Sequence, residues 1–287
     1  MSIYSLNILV IIPARGGSKG IARKNLRLLA GSPLIYYSIK NALNSKYNLD
    51  VYVSSEDEEI LSIAQKIGAK AYKRNINDAA DITTLDPVIY NAWQSIQTLE
   101  GKQYDLVVTL QPTSPLLKVD SLDSAIEKLL NKSSIDTIIS AVNDTHLTWK
   151  QENGQFKPNY EKRVNRQQLP QVYKETGGFL ITRSECISIN NRIGKNVELF
   201  ILSDKESIDI DSHADWGLCE YYLKRKKLLF VVSGYQEIGL GHVYNTLILA
   251  NDIVEHEVIF LVDDKSNLAY EKISSKNYHV FQQKSSN

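Results

Sequence analysis

The stretch Ile8-Leu9-Val10-Ile11-Ile12-Pro13-Ala14-Arg15-Gly16-Gly17-Ser18-Lys19-Gly20, with Arg23, Lys24 and Asn25 close behind, decides how this chain is read. Five consecutive aliphatic residues, Ile8 to Ile12, predict a strand buried on both faces. The strand empties into a loop whose glycines permit positive φ and whose amide N–H groups can converge on an anion. Neither G-x-x-x-x-G-K-[ST] nor G-x-G-x-x-G can be laid on these residues, so two better-known phosphate loops are excluded by spacing. Arg15, Lys19, Arg23 and Lys24 bring four cations together, which suits a triphosphate better than the pyrophosphate of a dinucleotide. A solvated basic loop is the alternative that composition and spacing leave open.

Working outward, strands alternate with helices. The pattern predicts a helix from Leu34 to Leu43, a strand at Val51–Val53, an amphipathic helix from Glu56 to Ile67 stopped by Gly68, and a strand at Ala69–Tyr72. A helix over Thr84–Leu99, a strand at Asp105–Leu110, a helix at Val119–Leu130 and a strand at Thr137–Val142 follow. Such alternation implies an α/β fold with a mostly parallel sheet covered on both faces, whose ligands collect at the carboxyl ends of the strands. From Thr145 to Glu175 the periodicity fails, which points to a hairpin arm, a substrate lid or a subunit contact. The core resumes at Gly177, with a strand at Glu198–Leu202 and a helix near His213–Lys224 capped by Ser212 or Asp211.

A boundary is expected at Lys224-Arg225-Lys226-Lys227, dividing a domain of residues 1–226 from a second α/β unit over 227–287, too short for a complete doubly wound domain. With 33 basic and 33 acidic residues there is no global field to recruit nucleic acid or an anionic membrane. The N-terminal apolar run, Leu6 to Ile12, resembles neither a signal peptide nor a span. Cys186 and Cys219 lack metal or redox spacing and read as reduced core thiols, which fits the cytosol.

Three further groups carry chemistry. Asp209 and Asp211, two apart on extended backbone, present both carboxylates on one face, an arrangement suited to Mg²⁺; the plainer reading is a helix cap and a surface residue. Gln111, Thr113 and Ser114, held between Pro112 and Pro115, suit a polyhydroxylated ligand, or else form a structural turn. Arg166 has the fork to pair bidentately with a carboxylate, although a lone arginine in a polar arm is usually solvated.

Residues 8 to 223 resemble the cytidylyltransferases that activate nine-carbon acidic sugars, the CMP-N-acetylneuraminate synthetase family. The resemblance rests on Ile12-Pro13-Ala14-Arg15-Gly16-Gly17-Ser18-Lys19-Gly20 with Lys24-Asn25, on Leu110-Gln111-Pro112-Thr113-Ser114-Pro115-Leu116, on Arg166-Gln167-Gln168-Leu169-Pro170 and on Ser207-Ile208-Asp209-Ile210-Asp211. It implies a three-layer, nucleotidyltransferase-like (GT-A-like) sheet with a dimerisation arm over about 145–175, hence a homodimer. It further implies transfer of CMP from CTP to N-acetylneuraminate, legionaminate or pseudaminate, with Arg15, Lys19 and Lys24 on the CTP phosphates, Asp209 and Asp211 on Mg²⁺, and Gln111 and Arg166 on the sugar acid. For the general base, Asp211 and a metal-bound hydroxide both stay open. Two departures stand out: Thr176-Gly177-Gly178 where Asn-Gly is frequent, and Ser54-Ser55-Glu56 where Ser-Thr-Asp is frequent. The tail, Leu228 to Phe281 with Gly239-Leu240-Gly241-His242, resembles the first half-domain of GT-B-type sugar-nucleotide hydrolases and glycosyltransferases. Tyr244 stands where a dinucleotide fingerprint needs its third glycine, which argues against a Rossmann cofactor site. Two competing functions are a GT-A glycosyltransferase using a finished nucleotide sugar, and a non-catalytic nucleotide-binding scaffold.

Overall fold

A computed structural model describes residues 6–18, 20–79 and 83–284. The chain forms two compact units, one ending at Cys219 and one beginning at Glu220. In order, the first unit contains β1 (Ile8–Pro13), a short pair β2 (Leu28–Leu29) and β3 (Ser32–Pro33), α1 (Leu34–Leu43), β4 (Leu49–Ser55), α2 (Glu58–Ile67), β5 (Lys70–Lys73), α3 (Leu85–Glu100) and β6 (Leu106–Thr109). It continues through α4 (Val119–Asn131), β7 (Thr137–Asn143), β8 (Trp149–Glu152), β9 (Gln155–Pro158), β10 (Tyr173–Arg183), β11 (Val197–Ile201) and α5 (His213–Lys224), the last turns of which fall in the second unit.

Seven strands make one sheet in the order β11-β7-β10-β6-β1-β4-β5. Every neighbouring pair is parallel except the two made by β10, which runs antiparallel to β6 and β7. The expected mostly parallel sheet is present, with β1 inside it. Because successive strand residues face opposite ways, Ile8, Val10 and Ile12 join a core with Ile35 and Ile39 of α1, Ile60 of α2 and Ile126 of α4. Leu9 and Ile11 join a second core with Ile89, Ala92, Trp93 and Ile96 of α3. Each such side chain contributes about 1.5–3 kcal/mol on burial, so the run that opens the sequence is also the anchor of both layers.

Helix α2 begins two residues later than the periodicity predicts. Asp57 is its cap, accepting the N–H groups of Glu59 at 2.9 Å and Ile60 at 3.3 Å, and Gly68 ends it at φ 116°. Strand β10 carries an irregularity against β7: Glu175 pairs with Ala141, yet Leu180 pairs with Ile139, so residues 176–179 bulge out of the ladder. The stretch without periodicity contains the β8–β9 hairpin, turned at Asn153-Gly154 with both φ positive, and a 3₁₀ turn at Arg166–Gln168. Trp149 and Phe156 on this hairpin are 55% and 72% exposed.

The second unit is a parallel sheet of β12 (Lys227–Val231), β13 (Glu257–Val262) and β14 (His279–Gln282), with α6 (Gly241–Asp252) and α7 (Asn267–Ser274) as its crossovers. Val258, Phe260 and Val262 pack with Val243 and Ala250 of α6 and Ala269 and Ile273 of α7. Among the described residues no helix is long and apolar enough to cross a membrane. Both cysteines are free thiols; burial pushes Cys219 up to about 12 and raises Cys186 as well.

Candidate active site

A cavity of about 300 Å³ opens where β1, β5 and β6 end, lined by the first loop, the segment after β5, Gln111–Thr113 and the two aspartates 209 and 211. The loop after β1 is fixed by its backbone. Ala14 is fully buried and its N–H donates to Ser54 O at 3.0 Å, while the Asn25 amide donates to Arg15 O at 3.0 Å. Gly16 lets the loop approach α2 closely, since a Cβ there would lie 2.6 Å from Asp57 Oδ2 and force that side chain to shift. Its N–H does not face the cavity as an anion donor. It donates to Glu56 Oε1 at 2.7 Å, and Glu56 Oε2 accepts from Arg74 Nε at 3.0 Å and Nη2 at 2.7 Å. The glutamate at the Ser54-Ser55-Glu56 departure therefore ties the loop to Arg74, whose side chain is 4% exposed and which lines the cavity.

The cation set differs from the one the spacing suggests. Arg15 and Lys24 line the cavity with Gly17, Ser18 and Asn25. Arg23 does not: at φ 50° it turns its guanidinium onto Glu59 at 2.5 Å and Asp57 at 3.7 Å, at the start of α2. Lys19 lies outside the described residues. Arg74 replaces Arg23 as the third described cation; the only hint in the sequence was its place at the carboxyl end of a strand.

Lys24 links this loop to the acidic segment, its ammonium donating to Ile210 O at 2.7 Å and lying 3.9 Å from Asp211 Oδ1. Gly20 runs against the same segment, where a Cβ would meet Asp211 O at 2.6 Å. The acidic segment is registered on the Gln111–Ser114 turn because Ile210 N–H donates to Thr113 O at 2.8 Å. Of the two candidate caps for α5, Ser212 is the one used. It exchanges hydrogen bonds with Asp215 in a capping box, leaving the Asp211 side chain 83% exposed at the cavity.

Asp209 sits deeper. Burial raises its carboxyl above the ordinary aspartate value and the negative Asp211 adds to this, while the Thr113 hydroxyl, Lys24 and Lys174 pull it back. Asp209 Oδ1, Thr113 Oγ1 and Ser114 Oγ are all buried without a hydrogen-bond partner among the described residues. The Thr113 hydroxyl is thus near enough to ease the charge on Asp209 without meeting hydrogen-bond geometry. Gln111 is pinned through its backbone, its N–H donating to Gly177 O at 3.2 Å and its carbonyl accepting from Ser38 Oγ at 3.2 Å, and its residue lines the cavity. Arg166 is exposed in the arm and is not among the cavity-lining residues.

Glu206 was missed by sequence reasoning. It is 4% exposed; Oε1 accepts from Lys118 N–H at 3.2 Å and Ser121 Oγ at 2.6 Å, and Oε2 accepts from Ser203 Oγ at 2.7 Å. It caps α4 in place of Lys118, which offers no side-chain cap, and so clamps the acidic segment to the helix that follows Gln111–Ser114.

Among the described residues no three His, Cys, Asp or Glu side chains gather to enclose a metal. Asp209 and Asp211 still fit a divalent cation of the Mg²⁺ type, which takes one or two carboxylates and fills its remaining positions with phosphate oxygens and water; the buried, unpartnered Asp209 Oδ1 is the structural observation in favour.

A pseudaminic acid cytidylyltransferase of Campylobacter jejuni is 37% identical over 232 residues, covering 78% of this chain and 97% of that protein. A CMP-N,N'-diacetyllegionaminic acid synthase of the same species is 30% identical over 227 residues, covering 77% and 97%. The solved structure of a CMP:2-keto-3-deoxy-manno-octonic acid synthetase complexed with CTP shares the fold, with a TM-score of 0.55 at 15% identity, covering 76% of this chain and 98% of that one. The cytidylyltransferase family profile matches residues 9–221, and the chain belongs to the cytidylyltransferase family.

Proposed function

We propose that this enzyme transfers CMP from CTP to the anomeric hydroxyl of a nonulosonic acid, with release of pyrophosphate. The observation that carries the reading is one cavity shared by Arg15, Lys24 and Arg74, by Gln111 and by Asp209 and Asp211, in a chain of this family. Arg15, Lys24 and Lys19 would hold the triphosphate and neutralise charge as pyrophosphate leaves, with Ala14, Gly16, Gly17, Ser18 and Asn25 shaping the loop. Gln111 would face the sugar, while Thr113 and Ser114, expected beside it, have buried hydroxyls and Ser114 is not among the cavity-lining residues, so they would hold the turn rather than reach the substrate. Asp209 and Asp211 would hold Mg²⁺, which when bound supplies Lewis-acid stabilisation of phosphate charge. The glycosyltransferase reading fares worse, since it needs no triphosphate site and the matched family transfers cytidylyl groups.

Among candidate acids pseudaminate is tried first, because identity is 37% to a pseudaminic acid enzyme against 30% to a legionaminic acid one and 32% to an N-acylneuraminate one. Pyrophosphate release with CTP, Mg²⁺ and pseudaminate, legionaminate or neuraminate tests the reading; no release with any of the three overturns it.

The exposed Trp149 and Phe156 support a homodimer through the arm, and Arg166, away from its own cavity, would then serve the partner's site. The second unit would be a GT-B-like α/β segment, with an apolar face of its sheet left open. Parallel sheets are ordinarily covered on both faces, yet Leu229, Val231 and Phe281 are 59%, 71% and 60% exposed.

A further inference from the structure

Strand β10 passes the site through its bulge, at the Thr176-Gly177-Gly178 departure. A Cβ on Gly177 would lie 3.0 Å from Ser114 Oγ, 3.1 Å from Asp209 Oδ1 and 3.2 Å from Thr113 Oγ1. All three are buried oxygens that lack a hydrogen-bond partner among the described residues. Gly177 is therefore the surface against which Asp209 is seated, and only a residue without a side chain fits there unless those oxygens shift. Its carbonyl also receives the Gln111 N–H at 3.2 Å, so a shift at Gly177 is passed both to the carboxylate and to the sugar-facing turn.

Something must hold the bulge, because its residues have left the β7 ladder. That role falls to Ser140, on β7 and fully buried. Its hydroxyl accepts from Phe179 N–H at 2.8 Å and from Thr176 Oγ1 at 2.8 Å, and donates to Phe179 O at 3.0 Å, which uses its full hydrogen-bonding capacity. Gly178 is packed onto the same atom, with a Cβ there lying 3.0 Å from Ser140 Oγ. Neither Ser140 nor Thr176 lines the cavity.

We propose that Ser140 and Thr176 are positioning residues that fix the β10 bulge and, through Gly177, the placement of Asp209 and its affinity for the divalent cation. The inference rests on the CMP-transfer reading for its kinetic arm, but not for its metal-binding arm. Groups that orient a metal ligand from behind typically change affinity or activity by 10–100-fold when removed.

The test compares Thr176→Val with Thr176→Ser, with Ser140→Ala as the stronger lesion. Mn²⁺ alone is titrated onto each protein by electron paramagnetic resonance, and turnover and the KM for CTP are measured separately. Thr176→Val should weaken Mn²⁺ binding and lower kcat by about 10-fold or more, with the KM for CTP within about twofold, and Thr176→Ser should restore both. If Thr176→Val keeps its circular dichroism spectrum and binds Mn²⁺ within about twofold of the parent, the inference is overturned. Equal losses in the valine and serine variants overturn it too. Should the parent show no cytidylyl transfer, the functional reading fails while the Mn²⁺ comparison still decides this one.

Discussion

Replacing Glu206 by Ala should cost this enzyme much of its margin of stability while leaving every cavity-lining side chain in place. The carboxylate is 4% exposed and accepts from three donors, with the Lys118 ammonium 3.4 Å away. Burial alone would raise its pKa, but the Ser121 and Ser203 hydroxyls, the Lys118 N–H and the Lys118 charge together hold it below the usual glutamate value. Removal takes the acceptor away from the Lys118 N–H at the start of α4, from the half-buried Ser121 hydroxyl and from the exposed Ser203 hydroxyl, and a truncation of this kind costs about 2–3 kcal/mol. Glu206→Gln keeps the shape and one acceptor and should cost about 1–2 kcal/mol. Because the folded pKa is depressed, the contribution is present above about pH 4.3, the unfolded value, and is lost as pH falls through the folded pKa. Urea denaturation of parent, Glu206→Gln and Glu206→Ala at neutral pH and at pH 4 measures this directly. The difference between parent and Glu206→Gln should shrink at the lower pH. A Glu206→Ala variant within about 0.5 kcal/mol of the parent at neutral pH would refute the clamp.

Arg15→Ala should lower turnover on the order of 10²-fold, more than it weakens CTP binding, with Arg15→Lys restoring part; steady-state kinetics at two ionic strengths separates this from a salt-screened surface effect. Glu56→Gln should weaken CTP binding and cost about 2–4 kcal/mol by leaving Arg74 buried without its counter-charge, and the Glu56→Gln/Arg74→Met pair should lose less than the sum of the singles in a double-mutant cycle followed by denaturation. If the arm pairs two protomers and Arg166 acts across the interface, mixing Arg166→Ala and Asp209→Ala proteins should recover about a quarter of parental activity on subunit exchange; recovery of none would put Arg166 outside the partner's site.

Much of this architecture was legible in the chain. Ile8 to Ile12 could be read as the two-faced central strand because an uninterrupted aliphatic run has few other uses. The Gln111–Ser114 turn and the loop after β1 could be placed together because strands ending on one side of a parallel sheet deliver their loops to one edge, and the acidic pair joined them only through its fit to a cation beside a triphosphate. What could not be read were contacts between distant segments that leave no local pattern. Glu206 reaches Lys118 across 88 positions, and Arg74 reaches Glu56 from the next strand, neither with a periodicity to betray it. Arg23 was misplaced because a charge count within a loop carries no direction: its positive φ turns it onto α2. The antiparallel insertion of β10 and its bulge were equally silent, since Thr176-Gly177-Gly178 reads as a simple glycine break until Ser140 is seen holding it.

The central claim is that the α-phosphorus of CTP ends on the sugar. CTP labelled at that phosphorus, incubated with the enzyme, Mg²⁺ and pseudaminate, legionaminate or neuraminate in turn and followed by anion-exchange chromatography, tests it most directly. The account predicts that with one or more of the acids the label moves into a CMP-sugar, one equivalent for each pyrophosphate released. Label that stays in CTP with all three acids, in a protein that binds CTP, would contradict it.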